Sequence, residues 1–119
     1  MKLLFGEFLA EKRKERNWSL RALAAAMEIS PPYLSDIEKG RRNPPDLAAL
    51  EGIAKILQLS PEERNILLDY AGLDRKQLPP DIPEYIIDRP EAISAMRKAR
   101  ELNKEDEFWK KVIKNLEEE

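Results

Sequence analysis

One stretch of 22 residues, residues 19–40, constrains the fold of this 119-residue chain more than any other part. It reads SLRALAAAMEISPPYLSDIEKG and contains two short apolar patterns separated by a polar turn. The first pattern recurs at i, i+3, i+4 and i+7, which is the spacing of one face of an α-helix. Its members are Leu20, Leu23, Ala24 and Met27. The stretch therefore predicts two short helices that follow each other closely.

The ends of these two helices can also be predicted from the sequence. Ser19 and Ser30 are expected N-caps, because a serine hydroxyl accepts a hydrogen bond from a free backbone N–H of the first turn. Pro31 and Pro32 follow in the first turn of the second helix, where a missing N–H costs nothing. Gly40 can adopt the positive φ that ends a helix. Two helices joined in this way form a helix-turn-helix, whose second helix typically enters the major groove of DNA.

The sequence resembles the phage-repressor-like (Cro/cI, XRE-type) family of helix-turn-helix transcriptional regulators. The resemblance covers residues 5 to about 73 and is most specific in ISPPYLSDIEKGRRNPP, residues 29–45. It implies an all-α fold, a five-helix lambda-repressor-like helix-turn-helix domain with a C-terminal helical extension. In the family an arginine of the first helix pairs with the glutamate that ends the third, and the matching residues are Arg13 and Glu38. The resemblance thus implies a structural ion pair between them.

Two positions depart from the family pattern. Glu28 replaces the usual turn glycine, so a residue with a side chain is expected in the left-handed region at this point. Leu20 stands where many relatives carry a polar side chain that holds a phosphate. We expect the neighbouring Arg21 to make that phosphate contact instead.

The remaining patterns divide the chain into three parts. Residues 1–74 are predicted to form the DNA-binding domain, with a first helix from about Leu3 to Arg16 that ends at Asn17. A fourth helix is expected from about residue 46 to 57, and a fifth from a capping box at Ser60 to Gly72. Residues 75–87 are rich in proline and predict a stiff, extended linker.

Residues 88–119 predict a helical extension of two helices, capped by Asp88 and Asn103. Their apolar residues form stripes, and three interpretations are open. The stripes pack back on the chain's own domain, form a two-fold interface with a second copy, or bind a different protein. The candidate dimerisation residues are Ile93, Met96, Phe108, Trp109, Val112, Ile113 and Leu116.

The candidate DNA contacts follow from a helical wheel of the second motif helix. With Leu34 and Ile37 pointing inward, the opposite face points outward and would meet a groove. Ser35 and Lys39 can bind base edges or phosphates, and Asp36 can accept a hydrogen bond from the amino group of cytosine. The candidate DNA-binding residues are Arg21, Ser30, Pro32, Tyr33, Ser35, Asp36, Lys39, Arg41 and Arg42.

Each candidate contact also has a simpler interpretation. Tyr33 could pack on its own domain, and Asp36 could face water. Arg41 and Arg42 follow the second motif helix directly, where the family's loop crosses the sugar–phosphate backbone, although a basic loop can also be merely solvated.

Composition limits the classes of function. The chain has no cysteine and no histidine, which excludes disulfides, thiolate metal sites and the commonest general base. We expect no enzyme activity, no metal or cofactor, no membrane segment and a cytoplasmic location.

The net charge of −2 is unevenly distributed. Residues 1–45 hold nine basic and six acidic side chains, giving +3, whereas residues 46–119 hold twelve and seventeen, giving −5.

The sequence therefore predicts a DNA-binding transcriptional regulator whose partner is double-stranded DNA. The simplest form is a repressor that binds a palindromic operator as a homodimer. The alternative is an antitoxin-like or adaptor module whose C-terminal helices bind a protein partner. No sequence pattern identifies a small-molecule effector.

Overall fold

The computed structural model describes residues 4–119, and every regular element in that range is an α-helix. The elements are α1 (Leu4–Glu15), α2 (Leu20–Ala26), α3 (Pro31–Glu38), α4 (Leu47–Ile56), α5 (Pro61–Asp74), α6 (Asp81–Ile86), α7 (Pro90–Glu101) and α8 (Asp106–Glu117). The all-α prediction is confirmed. The expected start of the first helix at Leu3 lies outside the described residues. Within residues 4–119, no helix combines the length and the apolar composition that crossing a membrane requires.

The chain forms two compact units, Met1–Pro83 and Glu84–Glu119. Helices α1 to α5 belong to the first unit, and α7 and α8 belong to the second. The boundary falls inside the stretch predicted as a linker, residues 75–87.

Helices α1 to α5 all contribute to the core of the first unit. Helix α1 packs against α3 and α5, α2 packs against α3, and α4 packs against α5. The largest fully buried side chains are Phe5, Leu9, Leu23, Leu34, Leu50, Ile53, Leu57, Leu67 and Leu68. Because Leu23 and Leu34 come from α2 and α3, the motif helices are part of the core, and their orientation is fixed by packing.

Local capping explains where most of these helices begin and end. The Ser19 and Ser30 hydroxyls accept hydrogen bonds from the backbone N–H groups of Ala22 and Tyr33, at 3.0 and 3.2 Å. Ser60 and Glu63 form the predicted capping box at the start of α5. Asn17, Glu28 and Gly40 have φ values of 60°, 59° and 78°, as the turn predictions require. These predictions are confirmed.

The end of α5 differs from the prediction. The helix runs two residues past Gly72, to Asp74. Gly72 is buried, and a Cβ added there would lie 2.7 Å from the backbone carbon of Leu78. The glycine therefore allows the following segment to pass closely over α5, which is a packing role and not a helix stop.

The expected linker and extension caps also differ. Residues 81–86 form the short helix α6 where an extended chain was predicted. Its Pro83 is at the third helical position, where a missing N–H removes no intrahelical hydrogen bond. Arg89 and Glu105 are the N-caps of α7 and α8, in place of Asp88 and Asn103. Asn103 instead adopts a φ of 53° and ends α7.

A long-range contact caps the first helix. The Asp74 carboxylate accepts hydrogen bonds from the backbone N–H groups of Leu4 and Phe5, at 3.3 and 3.0 Å. A carboxylate at this end satisfies free N–H groups, and its negative charge interacts favourably with the positive end of the helix dipole. The last residue of α5 thus holds the start of α1.

Candidate nucleic-acid interface

Helix α3 is oriented so that one face is buried and the other is available to a ligand. Leu34 and Ile37 are buried in the core. On the other side, Pro32, Tyr33 and Lys39 are exposed, while Ser35 and Asp36 are half-buried. The first turn carries Ser30 as cap, and Pro31 and Pro32 supply no backbone N–H donors there. Direct contacts from this end of the helix would therefore come mainly from side chains.

A bidentate ion pair fixes the end of α3 to α1. Arg13 Nε lies 2.7 Å from Glu38 Oε2, and Arg13 Nη2 lies 3.1 Å from Glu38 Oε1. Arg13 Nη1 also donates to the backbone carbonyl of Trp18, at 2.8 Å. Both charged side chains are largely buried, at 10% exposure each. Because the pair joins α1, the turn before α2 and the end of α3, it positions the motif helices relative to the rest of the domain.

Four side chains of α3 and of the loop after it form what we call the arginine cluster: Tyr33, Asp36, Arg41 and Arg42. The Asp36 carboxylate lies 3.6 Å from Arg41 Nη1 and 3.9 Å from Arg42 Nε. The guanidinium carbon of Arg42 is 4.3 Å from the centre of the Tyr33 ring. Arg41 and Arg42 remain 68% and 50% exposed. Exposed ion pairs of this kind are weak, so both guanidinium groups stay available to an anion.

The structure explains why residue 20, which departs from the family pattern, is a leucine. Leu20 is half-buried and packs against the core, so its apolar side chain contributes to folding. Arg21 is exposed in the first turn of α2.

Arg75 belongs to the same surface and was missed by the sequence reasoning. Its Nη2 donates a hydrogen bond to the Pro44 carbonyl in the loop after α3. With Arg41, Arg42 and Asn43 it lines an open cleft of about 530 Å³. No sequence signal connects Arg75 to this loop, because the two are far apart in the chain and only the packing of α5 brings them together. Over residues 4–119, no group of acidic side chains is arranged to hold a metal ion.

Comparison with known families identifies this arrangement. The sequence model of the helix-turn-helix domain family matches residues 4–67, from the start of α1 into α5. The match covers more than half of the chain. The chain belongs to the helix-turn-helix domain family. Helices α2 and α3, with the turn at Glu28, are the motif for which the family is named.

The matched relatives are helix-turn-helix regulators. The chain is 50% identical over 48 residues to DdrOP3, an HTH-type transcriptional regulator of Deinococcus deserti, a match that covers 40% of this chain and 36% of the relative. It is 40% identical over 57 residues to an uncharacterized HTH-type transcriptional regulator of Mycobacterium tuberculosis, covering 48% of this chain and 40% of the relative. The chain thus matches well under half the length of these relatives. No solved structure is a significant match.

Proposed function

We propose that this protein binds double-stranded operator DNA through α3 and the loop that follows it, and that it represses transcription as a homodimer. The observation that carries the proposal is the arginine cluster. It presents two exposed guanidinium groups beside the exposed face of α3, within a domain whose relatives are named transcriptional regulators. The site of action is the cytoplasm, where a bacterial operator lies.

The electrostatics of the surface support DNA binding despite the net charge of −2. Affinity for DNA depends on the cations that neutralise phosphates locally, not on the charge of the whole chain. Arg21, Lys39, Arg41 and Arg42 are all exposed on α2, α3 or the loop after α3. We assign Arg41 and Arg42 to phosphates, and Ser35 and Lys39 to base edges. Because few side chains can read bases directly, the shape of the DNA contributes to specificity.

The second unit supports a dimer. On α8, Trp109, Ile113 and Leu116 are 40%, 55% and 62% exposed, and Phe108 and Val112 continue the stripe as half-buried side chains. A stripe of this kind is costly in water and is stabilised when a second copy covers it. Met96 and Ile93 of α7 are the further interface candidates.

A dimer also suits the size of the DNA contact. A single small helix-turn-helix buries little DNA surface, whereas two copies can occupy half-sites about 34 Å apart on a palindrome. Occupying an operator in this way blocks polymerase. The same exposed α8 stripe favours the second candidate function, an adaptor whose C-terminal helices bind another protein.

The proposal is tested by removing the two exposed arginines. We expect Arg41→Ala/Arg42→Ala to weaken binding to every duplex roughly 10- to 50-fold near 0.1 M salt. The plot of log affinity against log salt concentration should become less steep, by about 0.9 in the magnitude of its slope for each phosphate that the variant no longer neutralises. The measurement is fluorescence anisotropy of labelled duplex, selected from a random pool, at several salt concentrations.

A matched control removes two adjacent cations elsewhere. Arg97→Ala/Lys98→Ala takes two exposed charges from α7 in the second unit and should change the affinity and the slope much less. If the loop variant binds with the wild-type affinity and slope, the assignment of DNA binding to this surface is wrong.

A further inference from the structure

Asp36 is an acidic side chain on the surface that is proposed to meet DNA. It lies on α3, one helical turn after Tyr33, and its carboxylate is 3.6 Å from Arg41 and 3.9 Å from Arg42. Those two arginines are the cations assigned to phosphates. The side chain of Asp36 is about one-third exposed, so the carboxylate can be reached from outside.

The ends of α3 and the path of the loop are secured by groups other than the Asp36 carboxylate. Helix α3 is capped by the Ser30 hydroxyl, and its end is secured by the positive φ of Gly40. The link from the loop back to Asp36 is a backbone hydrogen bond, from Arg41 N–H to the Asp36 carbonyl, at 2.8 Å. That bond does not depend on the carboxylate, so a neutral side chain of the same shape would leave the loop in place.

We propose that Asp36 is a specificity-determining residue that lowers affinity for DNA of arbitrary sequence, because its negative charge lies beside the two arginines that would neutralise phosphates. This inference rests on the proposed function and deepens it. In the free protein the carboxylate pairs with both guanidinium groups. When they turn to phosphates, the carboxylate loses its partners and faces the negative charge of the backbone. Binding to any duplex therefore carries an electrostatic cost.

An operator that places a cytosine opposite Asp36 offsets this electrostatic cost with a hydrogen bond. The cytosine N4 amino group is a major-groove donor, and a carboxylate accepts from it. A duplex without that donor leaves the carboxylate unpaired. The guanidinium carbon of Arg42 lies 4.3 Å from the centre of the Tyr33 ring. This cation–π contact keeps the Arg42 guanidinium beside α3 and close to Asp36. The expected result is weaker non-specific binding and a larger ratio of operator to random affinity.

The test compares Asp36→Asn with the wild type on two duplexes, the operator selected from a random pool and a scrambled version of it. Asp36→Asn should bind the scrambled duplex about 5- to 10-fold more tightly near 0.1 M salt, with a salt slope steeper by about one neutralised phosphate. Operator affinity should rise less, so that the ratio of the two affinities falls by roughly 3-fold or more. A pool selected by the variant should lose the cytosine preference. The control is Asp69→Asn, which makes the same charge change at an exposed position of α5.

The outcomes separate this inference from the function on which it rests. If the wild type selects an operator but Asp36→Asn behaves like Asp69→Asn, the role of Asp36 is overturned and DNA binding stands. Equal tightening on both duplexes would also overturn it, because Asp36 would then act only as a general charge. A wild-type protein that binds no duplex would overturn both. Thermal unfolding followed by circular dichroism checks that each variant is folded.

Discussion

Gly6 and Gly52 both lie inside helices, in α1 and α4, but their surroundings differ. A Cβ added at Gly6 would lie 2.7 Å from the carbonyl oxygen of Ile37, because α1 crosses the end of α3 closely at this point. A Cβ added at Gly52 would meet nothing within 4 Å. The first glycine is required by packing, whereas the second only weakens its helix through the entropy of the unfolded chain.

The two glycines therefore predict opposite effects of the same substitution. Gly52→Ala should raise the free energy of unfolding by about 0.5–1 kcal/mol and the Tm by a few degrees. Gly6→Ala should lower the free energy of unfolding by about 2 kcal/mol, since α1 and α3 must move apart. Thermal unfolding by circular dichroism measures both, and each variant serves as the control for the other. A destabilised Gly52→Ala would contradict the open space at that position.

Arg13 and Glu38 illustrate a residue-scale interaction that serves orientation. The pair is largely buried, and Arg13 makes three hydrogen bonds to two different segments of the chain. Truncating either partner would leave a buried charge without its counter-charge, which is costly even where the intact pair adds little net stability. Its value is that it fixes α3 in one position relative to α1.

At the scale of elements, one carboxylate joins α1 to the start of α5. Glu63 accepts from the Ser60 backbone N–H at 2.9 Å, from Arg16 Nη2 at 2.6 Å, and lies 3.2 Å from Lys12 Nζ. The Ser60 hydrogen bond, with the charges of Lys12 and Arg16, lowers the pKa of Glu63 to about 2. Partial burial opposes the charged form of Lys12, but the hydrogen bonds and charges of Glu15 and Glu63 raise its pKa overall.

This arrangement predicts how stability depends on pH. The pKa of Glu63 is about 2 in the folded protein and near 4.5 in the unfolded chain, so its contribution is fully present above pH 4.5. It is lost as pH falls toward 2. Above about pH 5, Glu63→Gln should be less stable than wild type by about 1 kcal/mol, because glutamine keeps the capping acceptor but loses the screened ion pairs with Lys12 and Arg16.

Urea unfolding at pH 7, 5 and 3 measures the Glu63 effect. The difference between wild type and Glu63→Gln should be similar at pH 7 and 5 and smaller at pH 3. Glu62→Gln is the control, because Glu62 is the exposed neighbour of Glu63 in the same first turn of α5. A difference that stays constant down to pH 3 would show that the charge of Glu63 does not stabilise the fold.

At the scale of the whole molecule, the exposed stripe on α8 is the basis of the dimer proposal. We expect Ile113→Gln/Leu116→Gln to weaken self-association by roughly 10-fold or more, because a dimer would bury these two apolar side chains and a polar replacement opposes that burial. Operator affinity should fall as self-association weakens, since each copy would then bind a half-site alone. Sedimentation velocity of the purified protein over a range of concentrations gives the association constant.

The matched control for the dimer is Lys111→Gln/Lys114→Gln, which alters two exposed residues of the same helix. It should leave self-association within about 2-fold of the wild type, as surface substitutions usually have small effects. A wild-type protein that remains monomeric at all concentrations would reject the dimer. That result would favour the adaptor, in which another protein covers α8.

The sequence alone determined helices α1 to α5, three of their N-caps and the presence of the motif. Ser19, Ser30 and Ser60 cap helices because a hydroxyl reaches an N–H three residues away, and this depends on nothing beyond one helical turn. The outward face of α3 follows from the same short-range periodicity. The resemblance to a known family also indicated the partners Arg13 and Glu38.

Only the tertiary structure decided the contacts between segments that are distant in the chain. Asp74 caps α1, and Arg75 reaches the Pro44 carbonyl. Neither contact has a local signal, because helix capping and periodicity extend over a turn or two, while these contacts depend on how α1, α3 and α5 pack. For the same reason, the pairing of Asp36 with Arg41 and Arg42 became visible only when the loop had a defined path.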